Sequence, residues 1–249
     1  MWLLFEQPLN EKIRSYLRIE AVTQQVQAHQ PFQLAHGELA FFRSLFELME
    51  LVDRADLRSD LLKDIDKQLQ NIERWRQYPG VDQQQLASFA ELLTGNQQQL
   101  QQQARPTAEL KTDNLLAALR QRLTIPGGCG SFDLPLLHFW LAQPLEQRQQ
   151  QALAWLKLLQ PYTDTISRML ELLRSSGHWQ DSLAMSGCYQ ATAEHNIDLL
   201  RVRIPAEHRV YPAISAHRNR FTIHLVNADT GKSDHRNLPL QLSLSLEQQ

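Results

Sequence analysis

From Asn10 to about Leu123 apolar side chains return every three or four positions, the period of helices with one buried side. Ile13, Tyr16, Leu17, Val22 and Val26 line a first helix, with Asn10 placed after Pro8 to cap it. A second, Glu38 to Arg54, carries Leu39, Phe42, Leu45, Phe46, Met49 and Val52. Leu61, Leu62, Ile65, Leu69, Ile72 and Trp75 mark a third, which the Pro79-Gly80 pair stops. A fourth runs from Asp82 into a glutamine-rich stretch with a break or kink at Gly95-Asn96, and Asp113 caps a fifth over Leu115, Leu116 and Leu119. The helical period returns from Pro144 to Gly177 through Ala152, Trp155, Leu159, Ile166 and Leu170. Its interruption near Pro161 leaves a helical pair or one kinked helix.

The pattern changes twice. In IPGGCGSFDLPLLHFWL, from Ile125, two prolines and three glycines surround an apolar run that reads as turn, strand, turn. After Gly177 the period drops to two: Ile197 to Ile204, Arg220 to Val226 and Leu238 to Leu246 suit strands, the last alternating Leu240, Leu242, Leu244 and Leu246 with Gln241, Ser243 and Ser245. Such alternation predicts antiparallel strands with one buried face, and Asp229 to Asp234 is the loop between the last two. The whole predicts an α+β fold, an N-terminal amphipathic helical bundle plus an antiparallel β-strand domain. Residues 9–124 and 143–177 fall in the helical domain and 125–142 and 178–249 in the strand domain, with 1–8 an added strand of the same sheet.

Composition changes this picture little. The chain has 249 residues, 25 Lys+Arg against 27 Asp+Glu, and 43% apolar side chains, values of an ordinary globular protein with room for a sizeable core. Glutamine is over-represented, but its clusters sit among Leu86, Phe89, Leu93, Leu100 and Trp155 at helical spacing, which makes them solvated helix faces. No apolar run reaches the roughly 20 residues of a membrane span. The N-terminus lacks the basic start and cleavage site of a secretory signal, and two cysteines form neither a disulfide framework nor a zinc set. These features predict a cytoplasmic protein.

Motifs for chemistry are missing: the sequence contains no P-loop, dinucleotide fingerprint, HExxH, GxSxG or CxxC, and nothing in it demands a metal or cofactor. Cys129 with His138 can be written as a nucleophile pair, but a small cysteine packed under a glycine turn is the better reading. More informative is arginine. From Ile197 to His224 there are five Arg and only two acids, and Arg14/Arg18 and Arg120/Arg122 add further pairs. Such a set is either a solvated face or a surface for an acidic peptide, because the guanidinium fork matches carboxylates. The net charge of −2 argues against a nucleic-acid-binding module, which the Arg-rich strands alone would suggest.

Four blocks carry a family resemblance: FEQPLNEKIRSYLRIE from Phe5, PGVDQ from Pro79, RQRLTIPGGCGSFDLP from Arg120 and YPAISAHRNRF from Tyr211. In order, spacing and total length the chain resembles the Z-ring-associated protein D (ZapD) family of bacterial cell division proteins. That resemblance implies a non-enzymatic homodimer with a helical and a β-strand domain. It implies binding to the C-terminal tail of FtsZ, the bacterial tubulin homologue, and bundling of FtsZ filaments in the Z ring at midcell. It also implies tail-binding residues among Arg14, Arg18, Arg54, Arg120, Arg122, His138, His217, Arg218 and Arg220. For Arg18 and Arg122 the alternative is an ion pair within the domain, to Glu20 or another carboxylate.

Overall fold

The computed structural model describes residues 1–32, 37–78, 82–102 and 105–246. The Pro79-Gly80 helix stop, and with it most of the PGVDQ block, lies outside these residues. The chain divides into two compact units, one of Met1–Tyr16 with Met169–Gln249, the other of Leu17–Arg168. The division falls inside two helices, α1 (Glu11–His29) and α8 (Leu145–Ser176). The fold is α+β.

The first unit holds the seven strands found among the described residues. They are β1 (Trp2–Pro8), β2 (Trp179–Ala184), β3 (Cys188–Thr192), β4 (Ile197–Pro205), β5 (Val210–His217), β6 (Arg220–Asn227) and β7 (Leu238–Leu246). Two antiparallel sheets result, ordered β1-β4-β7-β2 and β3-β6-β5. The N-terminal strand does join the larger sheet, Trp2 opposite Pro205 through Pro8 opposite Leu199. One core lies between the sheets, built from Leu200, Val202, Ile204, Leu240 and Leu242 on one side and Phe221, Ile223 and Leu225 on the other. The strands legible in the sequence, β4, β6 and β7, are the interior ones. Those the reading missed, β2, β3 and β5, are edges, where half the side chains meet water and the alternation weakens. Pro212 in β5 is tolerated there because an edge strand has N–H positions that need no partner.

The expectation of one buried face fails for β7. Ser243 and Ser245, on its polar side, are also buried, at 1% and 0% exposure. The last turns of α8 lie over this side: the Ser245 hydroxyl donates to the Leu173 carbonyl at 2.6 Å, and Ser243 accepts from Arg201 at 2.9 Å. Serine is the side chain small enough to sit under a helix while satisfying its own oxygen.

The second unit is helical: α2 (Gly37–Val52), α3 (Leu57–Trp75), α4 (Gln83–Gln102), α5 (Ala108–Thr112), α6 (Asn114–Arg122) and α7 (Pro135–Leu141), with the longer parts of α1 and α8. Asn10, in the first unit, caps α1 through Ile13 N–H at 2.8 Å, and Asp113 caps α6 through Leu116 N–H at 3.0 Å. The helix α4 runs through Gly95 without a break, which removes the first of the two alternatives for Gly95-Asn96. A single glycine costs about 1 kcal/mol in a helix, less than burying Leu93 and Leu100 returns. Likewise α8 is one helix with Pro161 inside it.

The clearest correction concerns residues 130–140. The expected strand is the helix α7, and it belongs to the helical unit, not to the strand domain. A run of apolar residues without alternation fits either period, and two local features favour helix here. Pro135 occupies the first turn, where its fixed φ is pre-organised, and Leu134, Leu137 and Trp140 recur at threes to form a buried stripe. Trp140 then enters an aromatic core with Phe32, Phe42 and Trp155, at centroid distances of 5.7, 5.2 and 6.2 Å.

Candidate functional site

In the first unit the strands β5 and β6 form a hairpin whose register closes on His217 opposite Arg220, leaving Arg218 and Asn219 as a two-residue turn. Arg218 has φ +56°, a region that costs an ordinary L-residue about 1 kcal/mol or more. The turn is held in place by its neighbours. Ala193 N–H donates to the Asn219 carbonyl at 2.7 Å, Asn219 Nδ2 to the Ala193 carbonyl at 2.9 Å, and Ile197 N–H to the Arg218 carbonyl at 3.0 Å. His217, Arg218 and Arg220 are therefore displayed on a pinned tip, all exposed, and none makes an ion pair among the described residues. Arg14 lies in the same unit but is partly engaged, 3.6 Å from Glu11 and 3.5 Å from the Pro8 carbonyl.

The sheet arginines do not extend this tip. Arg201 is 8% exposed, and its Nη2 donates to the carbonyls of Arg174 and Gly177 at the end of α8. A cation there offsets the negative end of the helix, so its role is structural. Within the segment Ile197 to His224, Arg201 is thus turned to a structural use, while the cations of the turn stay exposed.

In the helical unit Arg18 and Arg54 are exposed, on α1 and just past α2. Arg120 and Arg122 occupy the last turn of α6, where they also complement the helix dipole. Arg120 pairs with Glu50 at 3.2 Å and Arg122 with Asp133 at 3.9 Å, so the intradomain alternative holds for Arg122. Both pairs are open to solvent, with arginine exposures of 44%, and such pairs are worth about 0–1 kcal/mol; either cation can change partners at little cost.

From Arg122 the chain reaches α7 through consecutive turns, Gly128 N–H to Ile125, Gly130 N–H to Gly127 and Asp133 N–H to Gly130. Gly128 has no substitute: a Cβ would sit 2.7 Å from the Arg122 carbonyl oxygen. Burial pushes the Cys129 thiol above its ordinary pKa, against the lowered value a nucleophile needs. Among the described residues no three His, Cys, Asp or Glu side chains gather as a metal would require, and no helix is long and apolar enough to cross a membrane.

What the sequence reading missed follows these arginines in the chain. Phe132 and Phe139 are 84% and 66% exposed, and Ile125 and Leu136 are 46% and 41% exposed. Exposed aromatic side chains rimmed by charge are a mark of protein recognition. Leu136 and Phe139 also form one wall of a 470 Å³ groove whose other lining includes Leu115, Trp140, Gln143 and Gln147. His138, exposed on α7, stands between them in sequence. The signal was available, because a seven-residue helix reading PLLHFWL can bury only one stripe and must leave other apolar residues in water.

One unit thus displays a basic turn and the other a basic surface with exposed aromatic side chains. The known proteins agree on the chain's setting. The family model of the cell division protein ZapD matches residues 17–224. The cell division protein ZapD of Shewanella sp. (strain MR-4) is 42% identical over 241 residues, 97% of this chain and 98% of its own. Those of Cronobacter sakazakii (strain ATCC BAA-894) and Vibrio vulnificus (strain CMCP6) are each 40% identical, over 98% and 96% of this chain and 97% of their own length. The chain belongs to the ZapD family of cell division proteins.

Proposed function

We propose that this chain is a non-enzymatic cross-linker of FtsZ, a cytoplasmic homodimer recruited to midcell that grips the C-terminal tail of FtsZ and bundles its filaments. The observation that carries this reading is the pinned hairpin tip, where His217, Arg218 and Arg220 face solvent without an internal carboxylate. Strain held at Arg218 by three hydrogen bonds around the turn, two of them backbone to backbone, suits a preformed grip. Membership of a cell division family gives the partner its setting. The surface around Arg120, Arg122 and His138 supplies the second chemistry a short mixed-charge, apolar tail needs, with Phe132 and Phe139 as anchors. Arg14, Arg18 and Arg54 are peripheral contributors. A two-fold dimer duplicates each surface, so one molecule holds two filaments, and many weak contacts along a polymer add to avidity.

Sedimentation of GTP-polymerised FtsZ tests this. Wild-type protein should co-pellet with full-length filaments, less so at raised salt, and should not co-pellet with filaments lacking the tail. Arg218→Glu with Arg220→Glu should abolish co-pelleting in a folded protein. Tail-independent pelleting, or unchanged bundling by the double variant, refutes the reading.

A further inference from the structure

The outer face of the four-stranded sheet carries more positive charge than its own carboxylates neutralise. Strand register places Glu6, Arg201, Ser243 and Trp179 in one row across β1, β4, β7 and β2, and Leu4, Arg203, Gln241 and Asp181 in the next. Arg174, from the last turn of α8, is held by both oxygens of Glu6, at 2.9 and 2.7 Å, which commits that carboxylate. Asp181 accepts from Gln241 at 2.9 Å. Arg201 uses Nη2 on backbone carbonyls and Ser243, but its Nε is buried with no hydrogen-bond partner. Arg203 makes no hydrogen bond or ion pair among the described residues. Its guanidinium carbon lies 3.9 Å from the centroid of the Trp179 ring, and that of Arg201 lies 4.9 Å from the same ring. Burial, with smaller effects of Arg174 and Arg203, lowers the pKa of Arg201, and the carboxylate of Glu6 opposes that shift.

Apolar side chains flank the charge. Leu4 shares the row of Arg203, and Trp2 and Leu183 stand on the same face one row further on; their exposures are 50%, 47% and 49%. An arginine stacked on an indole keeps its N–H edge free while its orientation is fixed, so little entropy is lost when a carboxylate meets it. Neighbouring Trp and Leu surfaces suit large aliphatic or aromatic groups on either side of that carboxylate.

We propose that this face, centred on Arg203 and Trp179, is a docking surface for a partner's peptide segment that presents an Asp or Glu between bulky apolar side chains. The segment's carboxylate takes the fork of Arg203, and its apolar groups cover Trp2, Leu4 and Leu183. The surface shares no residue with the proposed FtsZ-tail contacts, so the outcome of the sedimentation experiment leaves it untouched.

The test is selection of a random peptide library, displayed on phage, against the intact protein, followed by fluorescence anisotropy with synthetic copies of the enriched peptides. Enriched sequences should place Asp or Glu among Leu, Ile, Phe or Trp. They should bind wild type about tenfold tighter than Arg203→Gln, and about tenfold tighter than their own Asn or Gln analogues. Arg203→Lys should not restore binding, because a point charge lacks the fork. Should Arg203→Gln fail to fold, Leu183→Ser carries the same comparison from the apolar side. No acidic-apolar consensus, or equal binding by wild type and variant, overturns the proposal. So does an Arg203→Gln protein that sediments as a smaller oligomer, since the face would then be filled by a second copy.

Discussion

Glu6→Gln removes the carboxylate that ties the edge strand β1 to the end of α8 and partly neutralises three arginines. Its cost can be worked from the geometry. Two unit charges about 4 Å apart attract by about 4 kcal/mol at the effective dielectric that suits protein sites. Breaking a fully buried pair costs about 3–5 kcal/mol, and exposed pairs contribute about 0.2–1 kcal/mol. The Arg174 and Glu6 side chains are 27% and 19% exposed, between those limits and nearer the buried one. The glutamine keeps one acceptor for Arg174 but no charge, which places the loss at about 2 kcal/mol. Urea unfolding, followed by circular dichroism at low ionic strength, measures it as a lower midpoint with an unchanged slope. Because Arg174, Arg201 and Arg203 then lose the neutralising charge of Glu6, added sulfate should stabilise the variant more than the wild type. A loss below about 0.5 kcal/mol, or equal stabilisation of both proteins by sulfate, would refute the electrostatic account of this corner.

Two further outcomes are expected within the strand unit. Asp234, 8% exposed and gripped by Arg236 through side chain and backbone, has its carboxyl held down from 3.8 to about 2. A carboxyl that titrates lower when folded contributes its full stability above pH about 4 and loses it as pH falls to about 2, so acid unfolding curves of wild type should steepen in that window and those of Asp234→Asn should not. Gly187, at φ +73°, donates to the Arg236 carbonyl, and a Cβ there would stand 1.5 Å from the Asp234 carbonyl oxygen. Gly187→Ala should therefore cost about 3 kcal/mol or more, read as a lowered urea midpoint; a change under 1 kcal/mol would mean the 234–236 segment yields freely.

The sequence alone determined the features that repeat locally. Helices α1 to α4, α6 and α8 follow from a period of 3.6 and from caps such as Asn10 and Asp113, which act within three residues of themselves. The strands β4, β6 and β7 follow from alternation imposed by a core they face directly. Arg218 and Arg220 were legible as candidates because Ile197 to His224 holds five Arg against two acids and because both lie in the YPAISAHRNRF block. Tertiary structure decided the rest, since it depends on what lies opposite. Arg201 and Arg220 are the same residue type on neighbouring stretches of chain, yet the end of α8 buries one and the other stays exposed. Trp140 and Phe139 are adjacent and equally apolar, yet the aromatic core has room for one and leaves the second in water. Ser243 and Ser245 read as a solvent face until a helix closes over them. Periodicity states which residues share a side; only packing between distant segments states which side is covered.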